Sequence, residues 1–138
     1  KNKVQFGKAS ILKEGNSISI IAYSRMTNFA VEAAKKLKEE NISPEIIDLR
    51  TLNPLDKNTI INSVKKTRHA LVLSEGHYTS GVASEITSII FENCFKVLKK
   101  PVIRYTAEDT PVPVAPNLEK NYVPTVDRIV DYAKKIIT

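Results

Sequence analysis

Short apolar runs rich in β-branched residues alternate with amphipathic segments of ten or more residues along this chain. The first run, residues 18–23 (ISIIAY), precedes a segment in which Ala30, Ala33, Ala34 and Leu37 share one side of a helix. Further strands are predicted at residues 45–49, 70–73 and 102–105, and further helices begin near residues 56, 81 and 125. This alternation favours right-handed crossovers and a mostly parallel sheet with helices on both faces. The sequence therefore predicts an α/β fold, a three-layer α/β/α sandwich with about five strands.

Helices tend to start after residues whose side chains can accept hydrogen bonds from the free N–H groups of the first turn. Thr27 or Asn28 is the predicted N-cap of the first helix, and Asp56 is that of the second. Ser80 or a neighbouring hydroxyl is expected to cap the third helix. The pair Pro124-Thr125 favours the start of the last helix.

The 138 residues are enough for one domain with a proper hydrophobic core. Residues 1–16 are interpreted as a connector, with some extended structure, from an amino-terminal domain that precedes this sequence, and residues 17–138 as the domain itself. No apolar run approaches the roughly 20 residues that a membrane-spanning helix needs, so no membrane contact is expected.

The formal net charge of +6 raises the question of an anionic partner. The lysines are spread along the chain without aromatic residues interleaved as stacking platforms, which favours a solvated surface over a nucleic-acid interface. A single cysteine, Cys94, cannot form an internal disulfide or a cysteine metal cluster, and its spacing places it in the core. No spacing of His, Cys, Asp or Glu suggests a metal site.

Residues 73–87 (LSEGHYTSGVASEIT) combine serines, a histidine and two glutamates with two glycines at the end of a predicted strand. His77 could act as a general base oriented by Glu75, but the sequence provides no third partner. We therefore expect a structural turn, in which Gly76 and Gly81 let the backbone pass from strand to helix. The turn can also present His77 and Tyr78 to a neighbouring subunit.

Motifs for common cofactors and nucleophiles are absent from the predicted loops. The loop after the first strand contains no glycine, which argues against a dinucleotide site, and neither a P-loop nor a G-x-S-x-G elbow occurs. His69 is expected at the surface. Asp48 and Arg50 are expected to form an ion pair that fixes the loop between them.

Several segments resemble, in order, the carboxy-terminal transketolase-type domain of the beta subunit of the decarboxylating component of pyruvate dehydrogenase. The long ones are residues 47–56 (IDLRTLNPLD) and 63–67 (SVKKT). The shorter ones are residues 7–9 (GKA), 23–26 (YSRM), 75–76 (EG), 81–82 (GV), 85–86 (EI), 111–113 (PVP), 117–120 (NLEK) and Pro124. The resemblance runs from about residue 7 to residue 137.

This resemblance implies a subunit of a thiamine diphosphate-dependent, magnesium-dependent enzyme that decarboxylates a 2-oxo acid, pyruvate being favoured. In such an alpha-beta heterotetramer the acyl group passes to a lipoyl arm of the acyltransferase component. The catalytic glutamate and histidine of the family belong to the amino-terminal domain, so no catalytic, cofactor-binding or metal-binding residue is assigned in this chain. The family is found in the bacterial cytoplasm or in an organelle matrix.

The carboxy-terminal domain in this family packs against a second beta subunit and docks the basic subunit-binding domain of the acyltransferase. The family's acidic docking position corresponds here to Lys99, next to Lys100 and Pro101. A like-charge contact there would weaken that docking. The alternative is that the acidic side of the contact comes from Glu108, Asp109 and the carboxylate after Thr138.

Three other functions remain open from the sequence. The chain could belong to a related acetoin or branched-chain 2-oxo acid dehydrogenase. It could be a basic α/β module that binds RNA, which its net charge favours. It could also be a small hydrolase that uses Ser80 or Ser74 with His77.

Overall fold

A central strand, β2 (Ile18–Ala22), has every residue buried and lies in the middle of a five-stranded sheet. This computed structural model describes residues 3–115 and 122–138. The remaining strands are β1 (Ser10–Lys13), β3 (Pro44–Asp48), β4 (Ala70–His77) and β5 (Ile103–Ala107). The helices are α1 (Arg25–Glu39), α2 (Lys57–Thr67), α3 (Val82–Cys94) and α4 (Val126–Ile137).

The strand order is β1-β3-β2-β4-β5, and every neighbouring pair is parallel except β1 with β3. Two hydrophobic clusters cover the two faces of this sheet. One joins Ile18 and Ile20 to α1 and α4, and the other joins Ile21 to α2 and α3. The predicted three-layer α/β/α sandwich is therefore confirmed.

β1 lies within the residues that the sequence analysis interpreted as a connector, so those residues contribute an edge strand to the sheet. Ser10 pairs with Asp48 and Ile11 with Ile47, antiparallel to β3. The strand was not predicted because it is short and its side chains are largely exposed, Ile11 and Leu12 at 42% and 46%. Neither burial nor alternation marks such an edge strand in a sequence.

α1 begins at Arg25, two residues before the predicted caps, so the prediction of Thr27 or Asn28 as N-cap is wrong. Ser24 adopts a left-handed φ of 54°, and this sharp turn lets the helix follow β2 directly. Thr27 lies inside the first turn, where its N–H donates to the carbonyl of Ser24 at 3.1 Å. The predicted apolar face, including Ala30, Ala33 and Leu37, is buried as expected.

Asp56 caps α2 as predicted. Its carboxylate accepts hydrogen bonds from the N–H and hydroxyl of Thr59 at 3.2 and 2.8 Å, and from the N–H of Ala9 at 3.0 Å. Burial by itself raises the pKa of Asp56, but these hydrogen bonds outweigh burial and hold the pKa below its ordinary value. One side chain thus both starts a helix and holds the residues before β1.

Polar side chains buried near the amino ends of β2 and β4 all have partners. The Ser19 hydroxyl bonds to those of Ser63 and Thr67 at 2.6 and 2.7 Å, which ties β2 to α2. His69 is 7% exposed, and its Nδ1 lies 3.0 Å from the carbonyl of Ser17, so the prediction that it is a surface residue is wrong. Among the described residues, no buried side-chain nitrogen or oxygen lacks a hydrogen-bond partner.

The replacement Asp56→Ala should lower the free energy of unfolding at pH 7 by about 1–2 kcal/mol, because it removes a cap and leaves the Ala9 N–H unpaired. Since the folded pKa is depressed, this contribution is present above the unfolded pKa of about 4 and is lost as the pH falls through the folded pKa. The difference between wild type and variant in urea denaturation should therefore shrink in acid. Asp131→Ala, on the exposed side of α4, is the matched control, and an equal loss in both variants would contradict the capping role.

Candidate functional site

Strand β4 continues through Gly76 to His77, well beyond the predicted residues 70–73. Leu73 pairs with Tyr105 and His77 with Ala107, with an irregularity between these two pairs. Gly76 therefore lies inside the strand and is not the turn residue that the sequence analysis predicted. The chain turns instead after His77 and adopts a left-handed φ of 56° at Ser80.

Gly81 is required at the start of α3 because the backbone folds back on itself there. A Cβ at this position would lie 2.3 Å from the carbonyl oxygen of His77. Gly81 is also the N-cap of α3, and no side chain caps this helix, so the prediction that Ser80 or a neighbouring hydroxyl does so is wrong. The hydroxyl of Ser84 donates instead to the carbonyl of Tyr78 at 3.3 Å and braces the turn.

At the carboxyl end of the sheet, Ser74 bonds to Tyr23, whereas its neighbour Glu75 bonds to Arg25. The hydroxyls of Ser74 and Tyr23 are 2.8 Å apart, and Ser74 also accepts the N–H of Gly76 at 3.0 Å. The carboxylate of Glu75 pairs with Arg25 at 2.9 Å. In the described part of the chain, His77 makes no side-chain hydrogen bond to Ser74, Glu75 or Ser80. The arrangement therefore lacks the nucleophile and base pair that a hydrolase needs.

Four of the predicted interface residues lie together where β4 and β5 end: His77, Tyr78, Glu108 and Asp109. We call them the carboxyl-edge surface. All four are exposed. The hydroxyl and the N–H of Thr79 donate hydrogen bonds to the carboxylate of Asp109, the N–H at 3.0 Å. These bonds hold the pKa of Asp109 below its ordinary value and join the loop after β4 to the loop after β5. The guanidinium of Arg104 lies 3.8 Å from the centre of the Tyr78 ring, which fixes that ring while leaving it 48% exposed.

Lys99 and Lys100 lie at the other end of β5, before its first residue, and both are exposed. With Phe91, Phe95, Leu98 and Val102 they line a groove of about 430 Å³, which we call the α3 groove. The N–H of Lys99 donates to the carbonyl of Arg68 at 3.1 Å, which fixes the backbone beside the groove.

The structure separates the acidic groups that the sequence analysis combined as an alternative docking contact. Glu108 lies with Arg128 and Tyr132 beside the first half of α4, whereas Thr138 is at the opposite end of that helix. Ten residues of helix between Arg128 and Thr138 correspond to about 15 Å. A single contact made of Glu108, Asp109 and the terminal carboxylate would therefore have to extend over most of α4, and it stays a prediction.

Phe91 and Phe95 are surface residues that were not predicted, with exposed fractions of 57% and 64%. Their rings contact each other with centres 5.0 Å apart. The prediction that no aromatic residues accompany the lysines is thus wrong at this position. The signal in the sequence was the spacing of four residues, which puts both rings on one side of α3 but does not reveal whether that side is covered.

Other predictions about single residues are confirmed. Cys94 is 2% exposed, and burial raises the pKa of its thiol, which favours a core role over reactivity. Nε of Arg50 lies 3.9 Å from a carboxylate oxygen of Asp48. α3 ends at Cys94, and the chain continues in turns in which the N–H groups of Val97 and Leu98 donate to the carbonyl of Cys94.

Within residues 3–115 and 122–138, no group of three His, Cys, Asp or Glu side chains could hold a metal ion. No helix in these residues is both long and apolar enough to cross a membrane. The segment 117–120 (NLEK), part of the resemblance seen in the sequence, lies outside the described residues.

Comparison with known proteins gives consistent matches. Residues 7–129 match the family model "Transketolase, C-terminal domain". The beta subunit of the pyruvate dehydrogenase E1 component from Rickettsia felis is 41% identical over 133 residues, which cover 96% of this chain and 41% of that protein. The beta subunit of acetoin:2,6-dichlorophenolindophenol oxidoreductase from Bacillus subtilis is 37% identical over 134 residues, covering 97% of this chain and 39% of that protein.

A solved structure described as a split-gene transketolase, an inactive beta4 tetramer, superimposes with a TM-score of 0.85 at 26% identity. The match covers 99% of this chain and 43% of that one. The chain thus spans about two fifths of the length of the curated relatives that it matches.

Replacing Asp109 with Ala should loosen the turn after β4, because the carboxylate holds both the N–H and the hydroxyl of Thr79. We expect the amide of Thr79 to exchange with solvent several-fold faster in hydrogen-exchange NMR, while amides in the core strands are unchanged. Glu108→Ala removes the same charge from the neighbouring position and is the control. If both variants exchange alike at Thr79, Asp109 does not brace the turn.

Proposed function

Since the chain belongs to the transketolase C-terminal domain family, we propose that it is the assembly and docking domain of the beta subunit of a thiamine diphosphate-dependent pyruvate dehydrogenase. The full enzyme would decarboxylate pyruvate oxidatively and transfer the acyl group to the lipoyl group of the acyltransferase component. Under this proposal the chain described here contributes to the enzyme without being catalytic alone. Residues 17–138, together with β1, would form the domain that follows an amino-terminal domain.

The observation that supports this proposal most directly is the match along 96% of the chain to pyruvate dehydrogenase beta subunits. Relatives of this kind include bacterial and mitochondrial proteins, which favours a bacterial cytoplasm or an organelle matrix. The acetoin oxidoreductase beta subunit of B. subtilis supports a second candidate, a dehydrogenase for acetoin. The matched relatives give no support to an RNA-binding module.

The described residues do not fit thiamine diphosphate and magnesium. Three of the carboxylates at the carboxyl end of the sheet already have partners within the chain: Asp48 with Arg50, Glu75 with Arg25, and Asp109 with Thr79. None of the loops there carries the glycine pattern of a phosphate site. We therefore assign the cofactor to other parts of the full enzyme, and no step of the reaction to this chain.

The partners that follow from the proposal are an alpha subunit, a second beta subunit related by a twofold axis, and the subunit-binding domain of the acyltransferase. Two regions of the surface are candidates for them. The carboxyl-edge surface offers an exposed aromatic ring and charged groups on braced loops. Lys99 and Lys100 offer positive charge at the opposite end of β5, and the exposed Thr138 ends α4.

Calorimetry with thiamine diphosphate and magnesium tests the division of roles. We expect saturable binding to an assembled enzyme of alpha and full-length beta subunits and no binding to the 138-residue chain. The matched comparison uses both proteins at the same concentration and ionic strength. Tight binding by the chain alone would contradict the proposal.

Charge reversal by Lys99→Glu should tighten binding of the full-length beta subunit to a basic subunit-binding domain, because it replaces a repulsive contact with an attractive one. An affinity gain of roughly tenfold corresponds to ~1.4 kcal/mol. Lys38→Glu makes the same change in net charge on an exposed position of α1 and controls for long-range effects. Equal affinities for the two variants would remove Lys99 from the docking surface.

A further inference from the structure

A small polar cavity lies between the carboxyl end of β5 and the first half of α4, and we call it the β5–α4 cavity. Its volume is about 160 Å³, and its lining includes Arg104, Thr106, Glu108, Arg128 and Tyr132. This volume is well above the ~15 Å³ that one water needs and below the roughly 300 Å³ of a small drug-sized pocket. The cavity therefore suits a group of a few heavy atoms, such as a phosphate or a carboxylate.

Arg104 is held in place and still has donors to offer. Its Nη1 donates to the carbonyl of Tyr78 at 3.1 Å and to the hydroxyl of Ser84, and its guanidinium lies over the Tyr78 ring. A guanidinium carries five N–H groups in a planar fork, and Nη1 accounts for two of them. The N–H groups on Nε and Nη2 have no acceptor in the part of the chain that the structure describes. A side chain fixed in this way loses little freedom when it binds an anion.

Arg128 brings a second guanidinium to the same cavity. It is exposed on α4 and takes part in none of the six ion pairs found within residues 3–115 and 122–138. Tyr132 follows four positions later and therefore lies on the same side of the helix. Its ring contacts that of Tyr105 with centres 4.9 Å apart, which positions its hydroxyl as a further donor at the cavity.

Glu108 is the one carboxylate among the described lining residues. It forms no ion pair with Arg104 or Arg128, so the charges around the cavity do not neutralise one another in contact. Two guanidiniums and one carboxylate leave an excess of positive charge. An anion that enters the cavity gains two attractive partners and meets one repulsive one.

We propose that the β5–α4 cavity binds a small oxoanion, a phosphate monoester or a carboxylate, between the guanidiniums of Arg104 and Arg128. Planar guanidiniums bind pairs of oxygen atoms on one anion, and the hydroxyl of Tyr132 adds a third donor. Glu108 opposes binding and keeps the affinity moderate. This inference goes beyond the function proposed above, because it depends neither on thiamine diphosphate nor on the 2-oxo acid that the full enzyme uses.

Larger ligands fit the cavity less well. A single-stranded nucleic acid needs free ring faces for stacking, but Arg104 lies 3.8 Å from the centre of the Tyr78 ring. The exposed carboxylates of Glu108 and Asp109 would also repel a phosphate backbone that extends beyond the cavity. The volume is too small for a cofactor with two ring systems.

NMR of the ¹⁵N-labelled 138-residue chain tests the proposal, with inorganic phosphate and acetate as separate probes at constant ionic strength set by sodium chloride. We expect saturable shifts of the Nε–H signals of Arg104 and Arg128, while signals of the core strands stay in place. Phosphate should bind more tightly than acetate, because it carries between one and two negative charges at pH 7. Tighter binding of acetate would identify a carboxylate ligand for the same site.

Two variants with opposite expected effects locate the site. Arg128→Gln should weaken phosphate binding about fivefold, the loss expected for an exposed ion pair, whereas Glu108→Gln should tighten it about twofold. Lys135→Gln removes the same charge from an exposed position in the last turn of α4 and should leave the affinity unchanged. Because all three side chains are exposed, circular dichroism should show the same folded state in each variant.

The proposal is wrong if neither anion gives saturable shifts, or if Arg128→Gln and Lys135→Gln bind phosphate alike. It is equally wrong if Glu108→Gln does not bind more tightly than wild type. A single-stranded RNA oligomer that binds more tightly than phosphate and is lost in Arg128→Gln would show a nucleic-acid surface instead. Calorimetry with phosphate on an assembled enzyme of alpha and full-length beta subunits should show the same dependence on Arg128, and no binding there would mean that a partner subunit covers the cavity.

Discussion

The burial of β2 on both faces is the constraint on which the rest of this structure depends. Its five residues alternate between the two hydrophobic clusters, so α1 and α4 must cover one face and α2 and α3 the other. Ser19 is the exception on this strand, and its hydroxyl bonds to Ser63 and Thr67 instead of to water. A buried strand of this kind cannot form a stable sheet until its neighbours on both sides are in place.

Because the strands around β2 are parallel, each crossover helix returns the chain to the amino end of the sheet. The loops that follow the strands therefore lie together at its carboxyl end. Ligands of open α/β sheets bind at that end. Here the charged side chains of that end are used to connect loops to one another, as in the pairs Arg25–Glu75 and Arg50–Asp48. Several charged groups at this end of the sheet are therefore paired with one another.

The two exposed regions differ in chemistry as well as in position. The carboxyl-edge surface is polar, and its groups are held by hydrogen bonds and by the contact of Arg104 with Tyr78. The α3 groove is apolar in its wall and cationic at its rim. The two regions thus lie at opposite ends of β5.

Sequence by itself determined the fold class, the central strand, the apolar helix faces, the cap at Asp56 and the family resemblance. These features depend on periodicity, on local hydrogen bonding and on the order of motifs, all of which are local in the chain. Sequence did not reveal β1, because an exposed edge strand is recognised by its pairing with β3 and not by its own pattern. Nor did it reveal that His69 is buried, because its hydrogen-bond partner, the carbonyl of Ser17, lies 52 positions away in the chain.

Tertiary structure alone decided which residues share a surface. It placed Glu108 beside the first half of α4 and Thr138 at the end of that helix, and it left Phe91 and Phe95 exposed near Lys99. An amphipathic pattern states which side of a helix is apolar, whereas only the packed chain shows whether another element covers that side.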